Sequence, residues 1–186
     1  GLAFGSQTFS QLLHAAFGGT TALALWGCAR RRVDRLTAWL ALAIFVATPQ
    51  VQMWARVANI DLALACFVFM ASIAPLHAGD AAGDVVGSRP WLTVNRRWLL
   101  LAGAFAGLAL GSKYQAAAAL APLGLLVLVD AWRRYRFGER LARNITGDAL
   151  AYGGIAALVA LPWYLKNLVL LHNPVWPLVF GGKDIS

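Results

Sequence analysis

The placement of arginine and lysine around the apolar stretches constrains this chain more than any other feature. About six apolar stretches with the length and composition of membrane spans follow one another, separated by short polar gaps. The sixteen basic residues fall unevenly between alternate gaps. Arg30, Arg31, Arg32 and Arg35 follow the first stretch, Arg89, Arg96 and Arg97 the third, and Arg133, Arg134, Arg136, Arg140 and Arg143 the fifth. Only Arg56, Lys113, Lys166 and Lys183 remain for the other side. Basic residues near span ends are retained in the cytoplasm, so the crowded side is predicted to be cytoplasmic. The sparse side, with the N-terminus, is predicted to face outward. The expected fold is all-α, a polytopic membrane helix bundle of about six transmembrane spans.

Composition agrees. Hydrophobic residues make up 60% of the chain and charged residues only 13%, which excludes an ordinary soluble domain. The net charge of +8 would suit nucleic acid, but the arginine clusters adjoin apolar spans, where they set topology and meet anionic head groups. No nucleic-acid partner is expected. Cys28 and Cys66 lie in apolar runs and read as buried free thiols, and three scattered histidines give no metal-ligand spacing.

The expected spans are 9–29, 36–49, 60–76, 98–111, 115–131 and 149–171. The second has a clean apolar part of only about 13 residues, or roughly 20 Å, too short for a 30 Å hydrocarbon core. It is expected either to continue as a kinked helix through Val51, Met53 and Trp54 or to lie in the outer interface there, and Pro49 permits both. Segment 77–97 reads as the longest loop. Gly103, Gly107 and Gly111 form a small-residue stripe suited to close helix packing. Spans four and five form a tight hairpin whose outward turn holds Ser112, Lys113 and Tyr114. Segment 133–143 is a basic inner loop, and 173–177 an outward loop that Pro174 and Pro177 keep from being helical.

Four charged residues fall at the outer ends of spans. Asp61 opens the third, Arg56 precedes it by five residues, Lys113 sits in the outward hairpin turn, and Lys166 lies within the sixth with Asn167 beside it. An ionisable group near hydrocarbon is a functional candidate by default, although each can also snorkel to the head groups. Together they suggest a polar cleft suited to a phosphate or pyrophosphate. Trp54, Tyr114, Trp163, Tyr164 and Trp176 either stack on a sugar ring or form an interfacial belt. Asp61 either holds a metal, deprotonates an acceptor or neutralises Arg56. Asp34, Asp80, Asp84 and Asp184 read as loop-exposed, and Asp130, Glu139 and Asp148 as partners of nearby arginines.

Four stretches resemble the GT-C membrane glycosyltransferases, in particular the bacterial relatives of dolichyl-phosphate-mannose protein mannosyltransferases and aminoarabinose transferases. Segment 14–32 with 38–49 resembles the family's second and third spans, and Ala58-Asn-Ile-Asp61-Leu-Ala-Leu the start of its fourth. Gly107-Leu-Ala-Leu-Gly-Ser-Lys113-Tyr114 resembles its glycine-rich span ending in lysine. Leu161-Pro-Trp-Tyr-Leu-Lys-Asn167 and Asn173-Pro-Val-Trp-Pro177 resemble its Pro-Trp-Tyr-Arg-Asn and Asn-Pro-hydrophobic-Tyr-Pro pair. In this chain a leucine is inserted, Lys166 replaces the arginine and Trp176 the tyrosine.

The resemblance implies a membrane glycosyltransferase-like protein that uses a polyprenyl-phosphate-linked sugar donor on the outer face of the bacterial cytoplasmic (inner) membrane. Lys113, Lys166 and Arg56 would hold the lipid phosphate. Asp61 would serve the acceptor or a divalent cation, and Tyr114, Trp163 and Tyr164 would stack on the sugar. Membrane lipids and other membrane subunits are the remaining expected partners. The family's catalytic carboxylate lies in an outer loop ahead of the stretch that matches 9–29, and residues 1–8 carry no acid. The expectation is therefore that 1–186 is one transmembrane domain belonging to a larger GT-C-like domain. The alternative is a non-catalytic integral membrane subunit of a larger complex, for instance an energy-converting one.

Overall fold

The computed structural model describes residues 7–57, 59–80, 96–136 and 142–175. Seven helices and no strand occur among them: α1 (Gln7–Arg32), α2 (Arg35–Ala47), α3 (Pro49–Arg56), α4 (Asp61–Asp80), α5 (Arg96–Ser112), α6 (Ala116–Arg136) and α7 (Ala142–Leu171). The chain forms two compact units, Gly1–Ile73 and Ala74–Ser186, divided within α4.

Buried and exposed residues are distributed as lipid would dictate. The buried apolar residues are mostly alanine, and Leu99 is the largest side chain that is fully buried. Large apolar side chains such as Leu23, Ile44, Leu125, Leu158 and Val169 are exposed. In hydrocarbon, helices gain from close backbone approach through small residues, while leucine costs nothing when it faces acyl chains. Hydroxyls follow the same logic. Thr20, Thr21, Thr48, Ser72 and Ser112 each donate to the carbonyl four residues earlier, at 2.7–2.9 Å, because lipid offers no partner.

In the first unit, α1 ends on Arg30, Arg31 and Arg32, whose charges oppose the negative end of the helix dipole. Asp34 then opens α2. It is not a plain loop residue: it caps the helix, accepting from the Thr37 amide at 2.8 Å and the Thr37 hydroxyl at 2.7 Å. These bonds stabilise the carboxylate and hold its pKa below the usual 3.8. Helix α2 stops at Ala47 because Thr48, which precedes a proline, is extended at φ −62°, ψ 119°. Pro49 then takes the first position of α3, where its missing N–H costs nothing. The two helices meet at a 57° bend. The freed Val46 carbonyl is recovered by the Gln52 side-chain amide at 3.2 Å. The chain therefore stays helical through Val51, Met53 and Trp54, as the second half of a bent pair. The start of α4 packs on α1: Phe17 and Phe67 meet edge to face at 5.3 Å, and a Cβ on Gly18 would lie 3.3 Å from Leu62.

In the second unit, α5 and α7 run in the same direction, as an up-down-up order of α5, α6 and α7 requires. A Cβ added at Gly103 would lie 2.6 Å from the Tyr152 carbonyl oxygen, and one at Gly107 would lie 2.5 Å from that of Ala156. One at Gly111 would lie 3.9 Å from Ala160 and Trp163. The glycine stripe thus meets a second small stripe, Ala156 and Ala160, both buried.

Among the described residues two helices, Thr8–Arg32 and Leu150–Leu171, are long and apolar enough to cross a membrane, and the α2–α3 pair makes a third if counted as one bent span. The expectation of six is not reached by this measure. The apolar parts of α4, α5 and α6, namely Asp61–Pro75, Arg97–Ser112 and Ala116–Leu126, are shorter. Helix α4 runs on to Asp80 and α5 starts at Arg96, so the long loop shrinks to 81–95, which lies outside the described residues. The same holds for 137–141 of the basic inner loop and for Trp176, Pro177, Lys183 and Asp184 of the tail.

Candidate functional site

The second unit carries an open cleft of about 510 Å³ at the α5–α6 turn, lined by Ser112, Lys113, Tyr114, Gln115 and Trp163. The turn is rigid for local reasons. The Lys113 amide donates to Ala109, and the Lys113, Tyr114 and Gln115 carbonyls accept from Ala116, Ala117 and Ala118 at 3.0–3.1 Å. The backbone is thereby committed, and the side chains of 112–115 are left to face the cleft.

Helix α7 closes the other side. Buried Asn167 donates from Nδ2 to the Tyr114 hydroxyl at 2.9 Å. The Tyr114 and Tyr164 rings lie 6.0 Å apart at 60°, and the Tyr164 hydroxyl donates a long 3.4 Å bond to the Leu110 carbonyl. Lys166 is exposed and does not line the cleft. Its ammonium sits 4.2 Å from the centre of the Trp163 ring, a cation–π contact. Because Trp163 also lines the cleft, this one indole links Lys166 to it. Beyond α7, His172 adopts φ 51° and Asn173 accepts from the Val175 amide at 3.1 Å, so the chain turns away before Pro174.

The first unit holds the other two charged candidates at one junction. Arg56 is the last residue of α3 and is exposed. Asp61 is the first residue of α4 and is half-buried, where the positive end of the helix dipole favours its charge. Among the described residues no group of three His, Cys, Asp or Glu side chains could hold a metal ion.

Residues 4–172 match the family described as dolichyl-phosphate-mannose-protein mannosyltransferase. The chain belongs to that family. No curated protein and no solved structure matches it significantly. The matched span covers Arg56, Asp61, Lys113, Tyr114, Trp163, Tyr164 and Lys166. With its apolar helices and this family, the chain is an integral membrane protein of glycosyltransferase type.

Within this mannosyltransferase-family chain, the cleft offers one ammonium, one phenol and one indole within a single turn of two helices. That set suits a ligand with an anionic group beside a ring with an apolar face. Reading the residues in isolation overlooks Asn167 as a contact, and Ser112 and Gln115 as lining. Helical spacing carried part of the signal: Tyr164 and Asn167, three apart, share the face that meets Tyr114. Tyr114→Phe removes the acceptor of a buried amide, which costs about 1–3 kcal/mol. A melting point lowered by several degrees is expected in detergent, and an unchanged one would show that the bond contributes nothing.

Proposed function

We propose that the chain is the membrane-embedded part of a glycosyltransferase that takes a sugar from a polyprenyl-phosphate carrier at the outer face of the bacterial cytoplasmic membrane. The observation that carries this reading is the coincidence of the family match with the Lys113–Tyr114–Trp163 cleft. In this reading all six apolar segments cross or enter the bilayer and the N-terminus lies outside. A 17-residue apolar helix is about 26 Å long, close to the hydrocarbon thickness. The uneven placement of arginines supports the orientation.

Lys113 holds the carrier phosphate through a charge-assisted hydrogen bond. Lys166 adds positive potential from its seat on Trp163, and Arg56, at the outer end of α3 in the first unit, is a separate candidate for a lipid phosphate. Tyr114, Trp163 and Tyr164 provide the apolar surface on which a sugar face stacks. Asp61 serves the acceptor, as a hydrogen-bond acceptor for its hydroxyl; were a divalent cation bound there, Asp61 would be the carboxylate that holds it. It is the one acid in the first 73 residues besides Asp34, whose carboxylate is occupied as a helix cap.

The test is a binding comparison on the purified chain. Polyprenyl phosphate is expected to bind at least tenfold more tightly than the uncharged polyprenol of the same length, and equal affinity would refute a phosphate site.

A further inference from the structure

We propose that the α1–α2 hairpin is a binding site for the head group of an anionic phospholipid. This inference belongs to the first unit and does not rest on the transferase reading. Arg30, Arg31, Arg32 and Arg35 crowd into six residues, and all four are exposed. The one acid in the hairpin is Asp34, and both of its oxygens are engaged by Thr37 at the start of α2. The aspartate therefore acts as a cap, while the arginines surround the turn.

What separates this patch from a merely solvated charge run is its apolar content. Val33 is 66% exposed and Leu36 69%, both inside the arginine cluster, and Trp39 and Leu40 follow at 49% and 54%. Trp39 leans on Trp26 with ring centres 5.6 Å apart, and the Arg30 guanidinium rests 5.1 Å from the Trp26 ring. Forked guanidinium donors match phosphate oxygens, and indoles favour the boundary between head groups and acyl chains. The hairpin thus interleaves phosphate-binding groups with bare apolar side chains. A ligand that carries a phosphate directly beside acyl chains covers both, whereas a free phosphate would leave Val33 and Leu36 in water.

The experiment titrates the purified chain in detergent micelles with phosphatidylglycerol and, separately, with phosphatidylcholine, reading lipid adducts by native mass spectrometry. Each arginine near an anionic head group is worth about a fivefold gain in affinity, so Arg31→Gln/Arg32→Gln/Arg35→Gln is expected to lose on the order of 100-fold in phosphatidylglycerol binding. Because these arginines also orient the chain, two further measurements leave them in place. In the unaltered protein, phosphatidylglycerol is expected to bind at least tenfold more tightly than phosphatidylcholine, with the preference shrinking at high salt. Val33→Ser/Leu36→Ser keeps every charge and is expected to weaken phosphatidylglycerol binding several-fold. Equal affinity for the two lipids in the unaltered protein would overturn the proposal. So would displacement of the lipid by millimolar inorganic phosphate, or a folded triple variant with undiminished binding.

Discussion

Gly107→Leu is expected to destroy most of the folded second unit. The position has no room for even a methyl group. A Cβ there would lie 2.5 Å from the Ala156 carbonyl oxygen and 2.7 Å from the Val159 Cβ. The first of these neighbours is backbone and the second is branched at the contact, so neither can move aside as a flexible side-chain end would. Relief requires α5 and α7 to separate along their whole interface, which is built on close approach of small residues. Overpacking of this kind costs about 3 kcal/mol or more, a loss on the order of 100-fold in the folded fraction. Yield of monodisperse protein on size exclusion and the melting point in detergent read the effect. Gly124→Leu on α6 is the control, since nothing lies within 4 Å of the added Cβ, and it should leave both quantities near their starting values. If Gly107→Leu behaves like that control, the α5–α7 interface is not what holds this unit.

Lys113→Ala is expected to weaken polyprenyl-phosphate binding by about 10-fold to 100-fold. A charge-assisted hydrogen bond is worth about 1.5–3 kcal/mol, and this ammonium is the charged group among the residues that line the cleft. The polyprenol control should be unaffected, because it brings no charge to the site. Lys113→Arg should retain most of the affinity, since Ser112, Tyr114 and Gln115 still shape the turn. Lys166→Ala should lose less than Lys113→Ala, because Lys166 reaches the cleft through Trp163 rather than lining it. Unchanged affinity in Lys113→Ala would remove the residue from the proposed site.

Those features of the fold that obey local rules were legible in the sequence. The Thr48–Pro49 break is one, because a proline excludes the preceding residue from helix and itself suits a first turn. The glycine stripe is another, because spacing of four puts three small residues on one face. The tight turn at Ser112, Lys113 and Tyr114 is a third. Helix ends were read short for a physical reason: hydropathy marks where a span leaves hydrocarbon, while the helix runs on into polar surroundings. Helix α6 reaches Arg136 and α7 starts at Ala142, well inside the basic loop. By length and apolar content, Thr8–Arg32, Leu150–Leu171 and the bent α2–α3 pair qualify as spans among the described residues, while the apolar runs in α4, α5 and α6 are shorter, so six is not reached by that measure.

What the sequence hid was pairing across distance. Asn167 and Tyr114 are 53 residues apart, and no local pattern announces their bond. The partner stripe of Ala156 and Ala160 was invisible because alanine is common throughout the chain. Lys113 and Lys166 read as two equivalent cations at one surface. The structure gives them different surroundings, one in the lining of a cleft and the other on the face of an indole. Asp34 reads as a loop acid by position alone, although an Asp directly before a helix start is a capping signal.

The most direct test of the account is photo-crosslinking with a polyprenyl-phosphate analogue that carries its diazirine beside the phosphate. The probe is applied to the chain in lipid nanodiscs, and the adducts are mapped by peptide mass spectrometry. The account predicts labelling within residues 112–115 and at Trp163, competed away by unmodified polyprenyl phosphate but not by polyprenol. Labelling confined to other segments, or labelling there that polyprenol removes equally well, would contradict a carrier-phosphate site at the α5–α6 turn.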